Sequence, residues 1–412
     1  MNVGPSRPGS RICIVACEAS GDLLAARLVD AIRRRLPDAT FAGVAGPEMV
    51  KAGVEPWART EDISVMGIAE VLGQLPRLLR LRRRLRDQVL AWPADLVIGV
   101  DGPDFNIGLE RQVRERGIPT IHYVSPSIWA WREGRAAKLR RAADDVLCLF
   151  PMEPPIYARY GAAATFVGHP LADEFPAIPD QAAARSALGL PLDAEVLGLL
   201  PGSRVGEITR LGATFIAAAA RLRRTAPRLQ LLVPMANRQC REVFETLLSN
   251  PLPQVPGEAE SKMPVTQAEW LSACSAVHLV DGRSHEVMVA SDMLLLASGT
   301  AALEGLLSKR PMVVAYRISP LTHFIVKGLG ILKVDRYSLP NILSGERLVP
   351  ELMQDDCTPA LIAEELVRLR EDPVIAQRMV ARFNAIHANL KQDCSASAAD
   401  VVVRRLGDLT PR

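Results

Sequence analysis

A chain of 412 residues, 49% of them hydrophobic, is long enough for two domains of ordinary size with real cores, which excludes a disordered or fibrous protein. Lys and Arg number 49 against 46 Asp and Glu, a net charge of +3, so no global field points to nucleic acid and any basic surface has to be local. The seven cysteines (Cys13, Cys17, Cys148, Cys240, Cys274, Cys357 and Cys394) are scattered without Cys-x-x-Cys pairs or His-Cys clusters at metal spacing, the pattern of buried thiols in a reducing cytosol and not of a zinc site.

Near the N-terminus Ile12–Ala16 reads as a strand, which Glu18 interrupts too early for a signal peptide. No apolar run approaches the roughly 18 residues of a membrane span, so the expectation is a soluble or peripherally attached protein. Glu18-Ala-Ser-Gly-Asp22 turns into a helix from about Leu23 to Leu36, with Leu24, Leu28 and Ile32 on one face. Phe41–Val44 is a second strand, followed by Gly46-Pro47. From Met66 to Leu90, Ile68, Val71, Leu72, Leu75, Leu78, Leu79, Leu85 and Val89 recur at helical spacing, while Arg77, Arg80, Arg82, Arg83, Arg84 and Arg86 cover much of the rest. A solvated face over leucines packed on a sheet fits this pattern. A helix lying on an anionic membrane fits it too, and the near absence of acidic partners, with only Asp87 nearby, favours that second reading.

Asp95–Val100 is a strand ending at Asp101, and Asp104 is placed to cap a helix from Phe105 to Arg116. Thr120–Val124 and Asp145–Phe150 are further strands. A Pro- and Ala-rich connector, Pro170–Pro191, precedes a second series: Val196–Leu200, Leu229–Pro234, Val277–Val280, Met293–Ala297 and Met312–Tyr316. Asn250–Gln267, rich in Pro, Glu and polar residues, reads as a surface insertion. The expected architecture is α/β, two Rossmann-like doubly wound domains facing a cleft, residues 1–172 and 173–358. A C-terminal helical segment, 359–412, follows, and the spacing of Leu361, Leu366 and Leu369 permits it to cross back to the first domain. Ligands in such sheets sit beyond the carboxyl ends of the strands, where Ser20-Gly21, Asp101, Gly202-Ser203-Arg204 and Ser298-Gly299-Thr300 all fall.

The stretch Asp292–Gly305 joins a strand, a small-residue turn and a helix through Ala301, Leu303 and Leu307. Unpaired N–H groups and the positive dipole end at such a helix start cradle an anion. Glu304, one turn beyond Thr300, projects on the same face and suits a ribose, so the spacing suggests a nucleotide diphosphate. A Ser N-cap on an ordinary βα unit is the competing reading.

Glu18-Ala-Ser-Gly-Asp22, Val44-Ala-Gly-Pro47, Met66-Gly-Ile68 with Glu70-Val-Leu72, Asp101-Gly-Pro-Asp-Phe-Asn106, His122-Tyr-Val-Ser-Pro-Ser-Ile-Trp-Ala-Trp-Arg132, Gly168-His-Pro170, Leu200-Pro-Gly-Ser-Arg204, Ala297-Ser-Gly-Thr-Ala-Ala-Leu-Glu304 and Ser338-Leu-Pro-Asn341 together resemble the lipid A disaccharide synthases. The resemblance runs in the right order over nearly the whole chain. It implies an inverting, metal-independent glycosyltransferase of the two-Rossmann-domain (GT-B) type that needs no cofactor. Such an enzyme moves 2,3-diacylglucosamine from UDP to the 6-hydroxyl of 2,3-diacylglucosamine 1-phosphate, releasing UDP and a β-1,6-linked disaccharide 1-phosphate. The resemblance also implies a cytoplasmic protein peripheral on the anionic inner membrane, without a nucleic-acid partner, and it allows a homodimer. Two departures stand out: Cys17 replaces the usual Gly before Glu18, and Asn250–Gln267 is longer than the family needs. A UDP-sugar 2-epimerase of the same fold would share the cradle but gives no reason for the arginine stripe, and a non-catalytic UDP-sugar or lipid-binding protein gives none for carboxylates on both sides. A dehydrogenase is disfavoured because the first strand lacks G-x-G-x-x-G.

Inversion at an anomeric carbon needs a base for the acceptor proton and a means of holding the departing diphosphate. Asp101, ending a buried strand on the acceptor side, is the base candidate, against a turn carboxylate before Gly102-Pro103. Arg204 offers a bidentate fork for phosphate, with Ser203 beside it, against a plain surface arginine. With Ser298, Gly299 and Thr300 it carries the leaving-group charge. Glu304 and Asn341 are donor-side hydrogen-bonding groups, with Glu351 and Gln354 as further candidates. Glu18, Ser20, Asp22 and Trp129 fall on the acceptor side, although Asp22 also fits a helix-start charge and Trp129, like Trp131, fits core packing. His122 and His169 show no partner in the sequence, and His122 is the alternative base.

Overall fold

The computed structural model describes residues 9–63, 68–129, 133–258, 261–318 and 336–408. The chain divides into two compact units, Met1–Asp173 with Asn389–Arg412, and Glu174–Ala388.

The first unit holds β1 (Arg11–Ala16), β2 (Thr40–Ala45), β3 (Glu55–Arg59), β4 (Leu96–Val100), β5 (Thr120–Tyr123), β6 (Asp145–Cys148) and β7 (Ala164–Phe166), all parallel in the order β3-β2-β1-β4-β5-β6-β7. The inner strands are apolar throughout because both faces are covered. On one face lie α1 (Ala19–Arg33) and the last helix, Cys394–Gly407, contributing Leu28, Ile32, Ala398, Val402 and Leu406. After the short α2 (Pro47–Lys51), α3 (Ile68–Ala91) and α4 (Pro103–Arg114) cover the other face with Leu85, Val89, Leu109 and Val113. The strand order reverses between β1 and β4, and connections leaving in opposite directions open a crevice beyond those two carboxyl ends. Ala16 pairs with Val100, so Glu18 and Asp101 emerge side by side.

The second unit repeats the plan with β8 (Val196–Leu200), β9 (Gln230–Met235), β10 (Val277–Asp281), β11 (Met293–Leu296), β12 (Met312–Tyr316) and β13 (Glu351–Met353), in the order β10-β9-β8-β11-β12-β13. Its reversal lies between β8 and β11, where Leu200 pairs with Leu296. The helix Pro359–Glu371 packs on Val205–Leu222 within this unit, whereas Cys394–Gly407 packs on α1 of the first. Among the described residues no helix is long and apolar enough to cross a membrane.

Some expectations need correction. Asp104 does not cap α4: the helix starts at Pro103 behind Gly102, which takes the cap position with φ +49°, and exposed Asp104 pairs with Arg135 at 2.9 Å. Proline's fixed φ suits the first helical position, which moves the start ahead of Asp104. The 250–267 segment is not merely superficial, since buried Glu258 binds Arg221 at 2.8 and 3.0 Å and accepts from Val265 N. In α3, Leu85 and Val89 are fully buried while Arg77, Arg80, Arg83 and Arg84 are exposed. Met66 and Gly67, expected to open that helix, lie outside the described residues, as do Trp131 and Arg132.

Candidate active site

In the second unit a cavity of about 550 Å³ opens beyond the carboxyl ends of β8 and β11, lined among others by Gly202, Ser203, Arg204, Ser298–Ala301 and Glu304. It sits where the strand order reverses, the place this topology reserves for a ligand. Gly202 has φ +130°, and a Cβ there would lie 2.4 Å from Glu207 Cβ, so only glycine lets the β8 turn fold this tightly. Glu207 Oε2 accepts from Ser203 N and Arg204 N at 3.0 and 3.3 Å. The Arg204 side chain is 84% exposed and touches Glu207 only at 3.9 Å, leaving most of its guanidinium for a ligand.

Across the cavity, Gly299 at φ +145° takes the cap position of the helix Thr300–Leu307 without any side-chain cap bond. Ser298 is therefore not the N-cap, and no side-chain oxygen among the described residues caps the first-turn N–H groups. A helix start of this kind is suited to an anion. Glu304 follows Thr300 by one turn and is 20% exposed, with His285 Nε2 3.4 Å from its carboxylate. That carboxylate raises the His285 pKa above its ordinary value, against the opposing effect of burial. The His285 ring also rests on Phe175, centroids 4.7 Å apart. His285 and Glu207 were not singled out in the sequence. Glu207, three residues after Arg204, had the capping-box spacing that could have shown it, whereas His285 acquires its partner only by folding.

Three expected donor-side residues lie elsewhere. The Asn341 amide is buried, donating to Val349 O at 2.9 Å and accepting from Leu348 N and Val349 N at 2.7 and 2.8 Å. The Glu351 carboxylate accepts from Tyr337 N, Ser338 N and Ser338 Oγ. Gln354 stands at φ +54°, and its carbonyl accepts from Arg317. In this structure hydrogen bonds within the 337–351 segment take up the polar groups of the first two, and neither lines the cavity.

In the first unit Asp101 closes β4, half-buried at φ +50°, its N–H donating to Tyr123 O at 2.8 Å. Glu18 and Ser20 are exposed at the end of β1 beside it. Asp22 is 2% exposed, and its carboxylate accepts from Gly46 N, Glu48 N and Met49 N, so it ties α1 to the β2–α2 turn and has no face left for an acceptor. Cys17 lies under Gly102, where a Cβ would come within 2.4 Å of its sulfur, and burial pushes the thiol pKa well up. Its place in the turn thus depends on Gly102 lacking a side chain. Trp129 is half-buried with its Nε1 enclosed. His122 is fully buried against Glu110, which removes it as an alternative base. His169, pushed down to about 4 by burial, accepts from Leu171 N. No cluster of three or more His, Cys, Asp or Glu able to hold a metal occurs among the described residues.

Two parallel, doubly wound sheets of this order, one in each unit, are the GT-B fold, which glycosyltransferases share with UDP-sugar 2-epimerases. Solved structures agree on the fold: the calicheamicin glycosyltransferase CalG4 superposes with a TM-score of 0.58 at 17% identity, covering 98% of this chain and 99% of that one. A putative UDP-N-acetylglucosamine 2-epimerase from Listeria monocytogenes gives 0.60 at 13% identity, covering 96% and 95%. Residues 12–402 match the lipid-A-disaccharide synthetase family model. A lipid-A-disaccharide synthase of Xanthomonas campestris is 51% identical over 396 residues, 96% of this chain and 86% of that protein. The chain belongs to the lipid-A-disaccharide synthetase family and is a glycosyltransferase of lipid A biosynthesis, which sets aside the epimerase and the non-catalytic readings.

Proposed function

We propose that the enzyme transfers 2,3-diacylglucosamine from UDP to the 6-hydroxyl of 2,3-diacylglucosamine 1-phosphate without a metal ion. The observation that carries the donor half is the uncapped start of the helix Thr300–Leu307 facing exposed Arg204 across one cavity. Its N–H groups and the guanidinium supply positive charge where the leaving diphosphate gains negative charge. Glu304 accepts from the ribose hydroxyls. On the acceptor side the Asp101 carboxylate takes the proton of the 6-hydroxyl as that oxygen attacks the anomeric carbon. The bond from that carbon to the UDP oxygen breaks on the opposite face, and the configuration inverts. The exposed arginines of α3 bring the enzyme to an anionic bilayer, where both acylated sugars reside.

The test is incubation with the UDP-linked diacyl sugar and the diacyl sugar 1-phosphate, following UDP and disaccharide together. Equal release of both is expected without added metal and in excess chelator. A positioned base contributes about 10²- to 10⁴-fold, so Asp101→Asn should lower kcat by about that factor with UDP affinity intact. Full turnover by a folded Asp101→Asn enzyme would remove Asp101 as the base.

A further inference from the structure

Beneath the Asp101 turn lies a buried polar cluster that the chemistry above does not use. His122 on β5 and Glu110 on α4 are fully enclosed, with His122 Nδ1 2.7 Å from Glu110 Oε1. One helical turn earlier on the same face of α4, buried Asn106 donates its amide to Val15 O at 3.2 Å, Val100 O at 3.3 Å and Asp101 O at 2.8 Å. A single side chain thus ties together the ends of β1 and β4 and the turn that carries the carboxylate. Gly99, the register partner of His122, makes room for the cluster. A Cβ there would lie 2.1 Å from Glu110 Oε1 and 2.9 Å from Asn106 Cβ.

The turn itself needs holding. Asp101 and Gly102 both have left-handed φ, +50° and +49°, a conformation that costs a residue with a side chain and persists where the surroundings over-determine it. Plain hydrophobic packing would fasten α4 to the sheet at less cost, because a buried polar pair is commonly neutral or destabilising relative to apolar residues of the same volume. Glu110 Oε2, His122 Nε2 and Asn106 Oδ1 are buried with no hydrogen-bond partner among the described residues. A cluster that stabilises so little specifies geometry.

We propose that Asn106, Glu110 and His122 are positioning residues for the transfer: they fix how α4 sits on β4 and β5 and, through the Asn106 amide, aim the Asp101 carboxylate at the acceptor hydroxyl. The inference rests on Asp101 being the base, and none of the three residues touches substrate.

A misplacement of about 1 Å costs on the order of 10²-fold in rate. Asn106→Ala should therefore lower kcat by about 100-fold and leave UDP affinity within about two-fold. The double variant Glu110→Leu/His122→Leu, which replaces the pair by apolar volume, should keep or raise the thermal midpoint and still lose at least about ten-fold in kcat. A purely structural role gives the reverse, a lower midpoint with unchanged turnover per folded molecule. Retention of kcat within about three-fold by either folded enzyme overturns the proposal, and so does a double variant that cannot fold, because the pair is then a stability element. If Asn106→Ala alone fails to fold, the double variant decides. Asp101→Asn measured alongside separates the two layers. Full turnover there removes the base and this inference with it, whereas a slow Asp101→Asn beside a fast Asn106→Ala removes the positioning role alone.

Discussion

At the scale of single residues, spacing along one element showed which side chains could share a ligand, but their partners came from elsewhere in the chain. Glu304 is the clear case. Its distance from Thr300 is one helical turn in any fold, so its direction toward the cavity was legible. Glu304→Ala should weaken UDP binding by about 1 to 3 kcal/mol, the range for hydrogen bonds to a charged group; unchanged affinity by calorimetry would take Glu304 out of the donor site. Asp22, Asn341 and Glu351 are the contrary case, because backbone N–H groups brought up by folding occupy their oxygens. Glu153 shows the same dependence on surroundings. It is 1% exposed beside Ser125, Phe150 N and Leu149 N, and burial outweighs their hydrogen bonds, raising its pKa from 4.5 to about 7. The native state then holds a proton that the unfolded chain releases, so this group's stabilising contribution is full below pH 4.5 and is lost as pH rises to about 7. Glu153→Gln should flatten that slope in thermal melts and stabilise the protein at pH 8 by up to about 3 kcal/mol; an unchanged slope would show that Glu153 does not titrate in this window.

At the scale of elements, the amphipathic pattern of α3 located its buried side at Leu85 and Val89 but not at Leu75, which is exposed, and Arg77, Arg80, Arg83 and Arg84 are exposed. Arg82 departs from the stripe. It reaches the carbonyl of Phe105 at 3.5 Å and lies 6.0 Å from that ring, so it fastens α3 to α4. The exposed four are the ones to test. Each basic residue near an anionic surface contributes on the order of 1 kcal/mol, screened by salt, so replacing those four by Gln should release the enzyme from anionic vesicles at moderate ionic strength in a sedimentation assay. Wild-type enzyme that ignores such vesicles at low salt would make α3 a packing element only. Short edge strands behave differently from the helices. β3, β7 and β13 are partly exposed segments of five, three and three residues, and they lack the continuous apolar run that announces a strand buried on both faces.

For the molecule as a whole, the last helix completes the first unit's core with Ala398, Val401, Val402 and Leu406. It is further held by Asp173, which accepts from Asp393 N and Cys394 N, and by the Arg35–Asp400 and Arg405–Asp145 pairs. Deleting residues 389–412 should lower the first unit's thermal midpoint and abolish transfer while UDP affinity, which the proposed function assigns to the second unit, stays close to wild type. Loss of UDP binding in a truncated chain whose second unit remains folded would contradict that division. The sequence by itself determined the two doubly wound sheets and the turns at their reversal points, because a strand covered on both faces must be apolar along its length and the next residues must leave the sheet at its carboxyl end. Only the tertiary structure decided which carboxylates stay free, that His285 meets Glu304, that the chain's end returns to its beginning, and that Asn106, Glu110 and His122 gather under Asp101. Each of these depends on contacts between residues far apart in the chain, and local spacing carries no record of such contacts.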